Sequence, residues 1–81
     1  MKTTVHIYYY AILREQSGLS DEFYETEAVS VGNLYRELSE KYSFTLPLHL
    51  IKAAVNDEFV DLNQPLRSKD NVIFIPPVAG G

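Results

Sequence analysis

One helical period dominates the chain and sets what the rest of it must do. Behind Ser30, a residue type suited to an N-cap, Val31, Leu34, Leu38 and Tyr42 recur at three- and four-residue spacings and so share one helical face, which Tyr35 broadens. Glu37 and Lys41 stand four apart in the favourable order on the outer face, a pair expected to add about 0.2–0.5 kcal/mol. Gly32 weakens the first turn, and the segment from Ser43 to Pro47 ends the helix because proline cannot continue it. One amphipathic helix covers one face of a sheet, so the remaining apolar segments are read as strands beneath it.

Those segments lie at both ends of the chain. From Thr4 to Ala11 the residues are β-branched and aromatic, with Val5, Ile7 and Tyr9 on one face and His6, Tyr8 and Tyr10 on the other. Ile12 to Ser17 reads as a short turn-like segment closed by Gly18. Glu22 to Thr26 is a second strand whose charges mark it as an edge. After the helix, Leu46, Leu48 and Leu50 are expected to plug the end of the core, and Ile51 to Val55 is a short apolar strand. Asn56-Asp57-Glu58 supplies a hairpin turn before Phe59-Val60. Gln64-Pro65-Leu66 and Ser68-Lys69-Asp70 are further turns, and Val72 to Ile75 is an unbroken apolar run suited to a central strand. The order strand, strand, helix, strand, short strand, strand, with the first and last strands central, is α+β and matches the ubiquitin-like β-grasp.

Size and charge narrow the function. A chain of 81 residues is one small domain, burying roughly 60% of its unfolded surface, and has no room for an enclosed active site of its own. Seven Lys and Arg against eleven Asp and Glu give a formal charge of −4, the wrong sign for nucleic acid or an anionic membrane, and a basic protein groove is the natural complement. The chain contains no cysteine, hence no disulfide, thiolate metal site or nucleophilic thiol. No apolar run approaches a membrane span, and Met1-Lys2-Thr3 leads directly into a strand pattern, so the expected location is cytoplasmic.

One feature goes beyond the needs of the fold: residues 1–75 suffice for the domain, and residues 76–81, Pro76-Pro77-Val78-Ala79-Gly80-Gly81, form a tail. Two prolines favour an extended backbone and small residues follow, so the tail is thin and reaches about 20 Å at roughly 3.3 Å per residue. A terminal glycine carboxylate enters a narrow channel easily, but it is ionised at neutral pH and needs activation before sulfur or an amine attacks it. Formation of an acyl adenylate by a separate ATP-using enzyme would supply that activation.

The ending Phe74-Ile75-Pro76-Pro77-Val78-Ala79-Gly80-Gly81 resembles that of the small subunit of molybdopterin synthase, the MoaD-type sulfur carriers. Tyr10-Ala11-Ile12-Leu13-Arg14-Glu15 with Gly18, Ala54-Val55-Asn56, and Pro65-Leu66 with Asp70 and Val72 extend the likeness over essentially the whole chain. Lys69 departs from it, because such sequences commonly have glycine before Asp70. The resemblance implies that Gly81 is adenylated by an ATP-dependent activating enzyme and converted, with sulfur from a donor, to a thiocarboxylate. It further implies that the loaded tail enters the large synthase subunit and gives its sulfur to cyclic pyranopterin monophosphate, in a heterotetramer whose large subunit holds most of the catalytic pocket. No permanently bound cofactor is implied, and the chain is not an enzyme on its own.

Tyr8, Tyr10, Phe59, Ile73 and Ile75 are candidates for an outer apolar patch that docks both partners, since no second helix covers the face opposite the first. Whether Ile73 and Ile75 or Val72 and Phe74 face the core is left open by the alternation. His6 and His49 have no cysteine and no spaced acidic partner, so no metal site is expected; Glu22, Glu25, Glu27 and Asp57, Glu58, Asp61 read as a solvated strand face and turn residues. Arg14 and Arg36 offer no pattern beyond solvation. Three other functions share parts of this description: a protein modifier conjugated through Gly81, a thiamin-pathway sulfur carrier, and an interaction module with an inert tail.

Overall fold

The alternation at the start of the chain forms β1 (Thr3–Tyr9), whose Val5, Ile7 and Tyr9 are wholly buried. The computed structural model describes residues 2–77. β2 (Asp21–Thr26) pairs antiparallel with β1 on one side, and the apolar run near the end of the chain forms β5 (Asn71–Ile75), which pairs parallel with β1 on the other. β3 (Lys52–Val55) continues the sheet antiparallel to β5, and β4 (Glu58–Val60) closes it, giving the order β2-β1-β5-β3-β4. The two most apolar strands thus lie inside the sheet and the charged β2 at its edge, as the sequence indicates.

A short helix α1 (Ile12–Ser17) follows β1, and the main helix α2 (Val31–Tyr42) crosses one face of the sheet. Val31, Leu34, Tyr35 and Leu38 are buried against Ile7, Tyr9, Val72 and Phe74 in one core. Full burial of each such aliphatic side chain is worth about 1.5–3 kcal/mol, so the helical stripe and the inner faces of β1 and β5 dominate the stability. Ser30 caps α2, accepting a hydrogen bond from the Asn33 N–H at 3.2 Å. This is the ubiquitin-like β-grasp.

Several local expectations change. Ile12 to Ser17 is helical rather than turn-like: Leu13 anchors it in the core and Gly18, at φ 76°, ends it in the left-handed conformation. Six residues are too few to display a period. β1 stops at Tyr9 because Ala11 adopts φ 51°, which a strand cannot hold. Leu46 and Leu48 pack against the core as expected, but Leu50 is 43% exposed on a single 3₁₀ turn (Leu48–Leu50), and Ile51 fills that place instead. Glu37 and Lys41 do not pair with each other: Glu37 accepts from the Tyr24 and Thr26 hydroxyls, and the Lys41 ammonium lies 4.7 Å from the Tyr24 ring centroid.

Two backbone positions explain residues that propensity alone does not. Gly32 donates its N–H to the Leu62 carbonyl at 2.7 Å, and a Cβ there would sit 3.0 Å from the same oxygen. The glycine that weakens the helix is what lets its first turn lie against the segment after β4. Lys69 has φ 73°, a conformation that suits glycine, and donates its N–H to Thr4 at 2.8 Å. The side chain of the buried Asp70 then ties the β3–β4 turn to the start of β5, accepting from Asn56 Nδ2 at 3.0 Å and from the Arg67 N–H at 2.9 Å.

Substitutions at these two positions have opposite expected signs. Gly32→Ala gains up to about 1 kcal/mol of helix propensity but loses more to the clash with Leu62, for a net destabilisation of about 1 kcal/mol. Lys69→Gly relieves the left-handed backbone and stabilises by up to about 1 kcal/mol. Urea midpoints at unchanged slope check both.

Candidate functional site

With α2 over one face, no helix among the described residues covers the opposite face of the sheet, and the strand register decides which residues meet there. Tyr8 pairs with Ile73, Ile73 with Ala54, and Ala54 with Phe59, so four strands contribute one residue each to a single row. Asp21 of β2 stands opposite Tyr8 and ends the row on the other side. Ile75 lies two residues along β5 on the same face, and Tyr10 lies one residue beyond the Tyr9–Phe74 pair. Val72 and Phe74 are buried in the core, which settles which alternate pair faces outward. All five sequence-predicted patch residues therefore sit on this face or at its end.

The patch is a surface, not an extension of the core. Phe59 is 77% exposed and Tyr10 49%, while Tyr8, Ile73 and Ile75 are half-buried against their neighbours in the sheet. Beside Phe59 a groove of about 530 Å³ runs between Ile51, Lys52, Asp61 and Leu62. Asp61 and Lys52 give the groove one charge of each sign, and Asp57 and Glu58 are exposed in the turn and strand before Phe59. Ala54 completes the row without a sequence signal, because Ala53 and Ala54 give no alternation in polarity.

β5 ends at the margin of this face. The strand ends at Ile75, which pairs with Lys52, and Pro76 and Pro77 follow directly. Val78, Ala79, Gly80 and Gly81 lie outside the described residues.

The remaining candidates have other roles. His6 does have an acidic partner: its Nε2 lies 2.6 Å from Asp21 Oδ2, and its ring stacks between Tyr8 and Phe23 at centroid distances of 4.4 and 4.1 Å. The register joins residues 15 apart in sequence, which no local spacing displays. His49, Arg14 and Arg36 are exposed. Among the described residues no group of three His, Asp or Glu is placed to hold a metal, and no helix is long and apolar enough to cross a membrane. Glu22 is not solvated as expected, because it lies on the inner face of β2 and accepts from the Tyr42 hydroxyl at 2.6 Å and from the Tyr9 hydroxyl.

Residues 7–81 match the ThiS family. The chain belongs to the ThiS family. Its fold agrees with those of several solved proteins: the putative molybdopterin converting factor subunit 1 of Pyrococcus furiosus superposes with TM-score 0.76 at 24% identity, covering 94% of this chain and 99% of that one. A chain of the complex of subunits 1 and 2 of the molybdopterin-converting factor from Helicobacter pylori 26695 is 29% identical, with TM-score 0.64 over 98% of this chain and 100% of that one. Small archaeal modifier protein 1 of Methanosarcina acetivorans is 21% identical, with TM-score 0.77 over 100% and 99%. No curated protein matches the chain in sequence.

In this ThiS-family chain the carboxylate–phenol contacts predict an alkaline limit. Burial first, and then the hydrogen bond to Glu22, pushes Tyr42 up to about 12; burial followed by contact with Glu22 or Glu37 also raises Tyr9 and Tyr24. These phenols stay protonated in the fold but ionise near pH 10 in the unfolded chain, so their stabilisation is complete below about pH 10 and is lost as pH rises towards 12. The urea midpoint is expected to fall over that interval, and Tyr42→Phe to flatten the fall.

Proposed function

We propose that the protein is the sulfur-carrying small subunit of a molybdopterin synthase, with Gly81 as its terminal carboxylate. The observation that carries the sulfur-carrier part of this reading is the family match, which runs through Gly81 after a β-grasp whose last strand precedes the Pro-Pro-Val-Ala-Gly-Gly segment, and the molybdopterin part is supported by the likeness to the molybdopterin-converting factor structures. The Helicobacter pylori complex of subunits 1 and 2 supports a large-subunit partner for a chain of this kind.

The chemistry follows from a carboxylate that is a poor electrophile. An activating enzyme lets a Gly81 oxygen attack the α-phosphorus of ATP, expelling pyrophosphate and leaving a glycyl adenylate. A hydrosulfide-level nucleophile from a sulfur donor attacks the glycyl carbonyl carbon, AMP departs, and a thiocarboxylate remains. In the large subunit the thiocarboxylate sulfur displaces an oxygen substituent from a side-chain carbon of cyclic pyranopterin monophosphate, the C–O bond breaking as the C–S bond forms, and water then cleaves the resulting acyl–sulfur bond to restore the Gly81 carboxylate. One dithiolene needs two sulfurs, hence two loaded carriers.

Pro76 and Pro77 stiffen the start of the arm, and Val78, Ala79 and Gly80 keep it narrow enough to enter a partner's channel. The row of Tyr8, Ile73 and Phe59, with Ile75 and Tyr10 beside the tail, is the docking face for the large subunit and the activating enzyme in turn. Shared use of one face makes the two complexes mutually exclusive, so the carrier must leave the first before it delivers to the second.

Intact-mass analysis tests the reading. After incubation with an activating enzyme, ATP and a sulfide source, the protein is expected to gain the mass of one oxygen-to-sulfur exchange, and a variant lacking Gly81 is expected to gain nothing. An adenylate that never takes up sulfur, or conjugates to lysines in its place, would overturn it in favour of a protein modifier.

A further inference from the structure

The edge strand β2 carries a feature that neither the core nor the tail explains. Phe23, near its centre, is 74% exposed on the outer face, and among the described residues the sheet order gives β2 a neighbouring strand on one side only. Edge strands are ordinarily protected by charge, and Asp21 and Glu25 on either side of Phe23 fit that pattern. An exposed aromatic between them does not.

The hydrogen-bond phase of the strand fixes what the edge offers. The Tyr9 N–H donates to the Ser20 carbonyl at 2.9 Å, one residue beyond the Tyr8–Asp21 pair, so Tyr9 and Ser20 are a hydrogen-bonded pair. Bonded and non-bonded pairs alternate along an antiparallel ladder, which makes Ile7–Glu22, Val5–Tyr24 and Thr3–Thr26 bonded pairs as well. Asp21, Phe23 and Glu25 therefore turn their N–H and C=O groups away from β1, toward the free edge. Among the described residues, no backbone hydrogen bond outside the strand ladders involves Asp21–Thr26. The residues whose backbone is free are the same three whose side chains line the outer face.

We propose that β2 accepts an added strand from a partner with a basic, apolar, basic alternation: Lys or Arg opposite Asp21 and Glu25, and an apolar residue opposite Phe23. Charge selects this occupant. Asp21, Glu25 and Glu27 are exposed carboxylates in a segment without a cation of its own, Asp21 touching only the His6 ring at 2.6 Å, and the nearby Lys2–Glu25 contact, at 3.5 Å between exposed groups, is the kind a partner's cation readily replaces. A second copy of this chain is the wrong occupant. In antiparallel self-pairing that sets Phe23 against Phe23, each Asp21 falls opposite a Glu25, and shifting by two residues sets Phe23 against a carboxylate. Because β1 stands between β2 and β5, an added strand leaves the tail root and the Tyr8–Ile73–Phe59 row free, so this partner can hold the carrier while its tail is in use.

The test is a titration of the ¹⁵N-labelled protein with the peptide acetyl-Thr-Lys-Thr-Val-Thr-Lys-Thr-amide and with its counterpart carrying Glu for Lys. The lysine peptide is expected to shift the Asp21, Phe23 and Glu25 amides and slow their hydrogen exchange, binding at least tenfold more tightly than the glutamate peptide at low salt. Phe23→Ala and Glu25→Lys, both at exposed positions, are expected to weaken binding at least fivefold. Equal response to both peptides, shifts centred on Tyr8, Ile73 and Phe59, dimerisation through β2, or no response at millimolar peptide would each overturn the proposal. A protein lacking Gly81 serves equally well in this titration, so its outcome is separate from that of the sulfur-carrier reading.

Discussion

The parallel pairing of β1 with β5 is the interaction on which the rest depends. It brings the two most apolar segments, from opposite ends of the chain, side by side under α2, and it buries Val5, Ile7, Tyr9, Val72 and Phe74 in one layer. Because side chains alternate across a strand, the same pairing assigns Tyr8, Ile73 and Ile75 to the other face. One helix is enough to cover one face, so the second stays open, and β5 ends at its margin where the tail begins. Core, uncovered face and tail root are three consequences of one register.

Polar contacts hold that register where apolar packing thins out. Asp70 and Asn56 join the β3–β4 turn to the start of β5, and the Lys69 N–H joins the preceding turn to β1. At the other end of the core, Glu22 and Glu37 each receive two hydroxyl hydrogen bonds between β2 and the α2 side of the sheet. Gly32 permits the close approach of α2 to the segment after β4. Each contact joins residues far apart in sequence, so a small domain without disulfides is fixed at several long-range points.

That separation also explains what was legible beforehand. The helix, its Ser30 cap, the central place of the first and last strands and the edge place of β2 were readable because periodicity and composition are local signals. Among the patch residues, Tyr8 was readable because it alternates with the buried Ile7 and Tyr9 along its strand. The Ile73 and Ile75 choice was not, since Val72 to Ile75 is apolar on both sides, and Ala54 gave no signal at all. The Asp21 partner of His6 and the tyrosine partners of Glu22 arise from pairing across strands and packing against the helix, which a linear reading cannot supply. Gly32 reads as a flaw in a helix until the Leu62 carbonyl is placed beside it.

The uncovered row is proposed to serve recognition and not stability, and one variant separates the two. Phe59→Asp adds a charge at an exposed position, so its urea midpoint should match the parent within about 0.5 kcal/mol. Its affinity for the proposed large-subunit partner, measured by calorimetry with the tail intact, should fall at least tenfold, as expected for an exposed aromatic anchor of an interface. Unchanged affinity, or a loss of affinity that merely follows a loss of fold, would contradict the account.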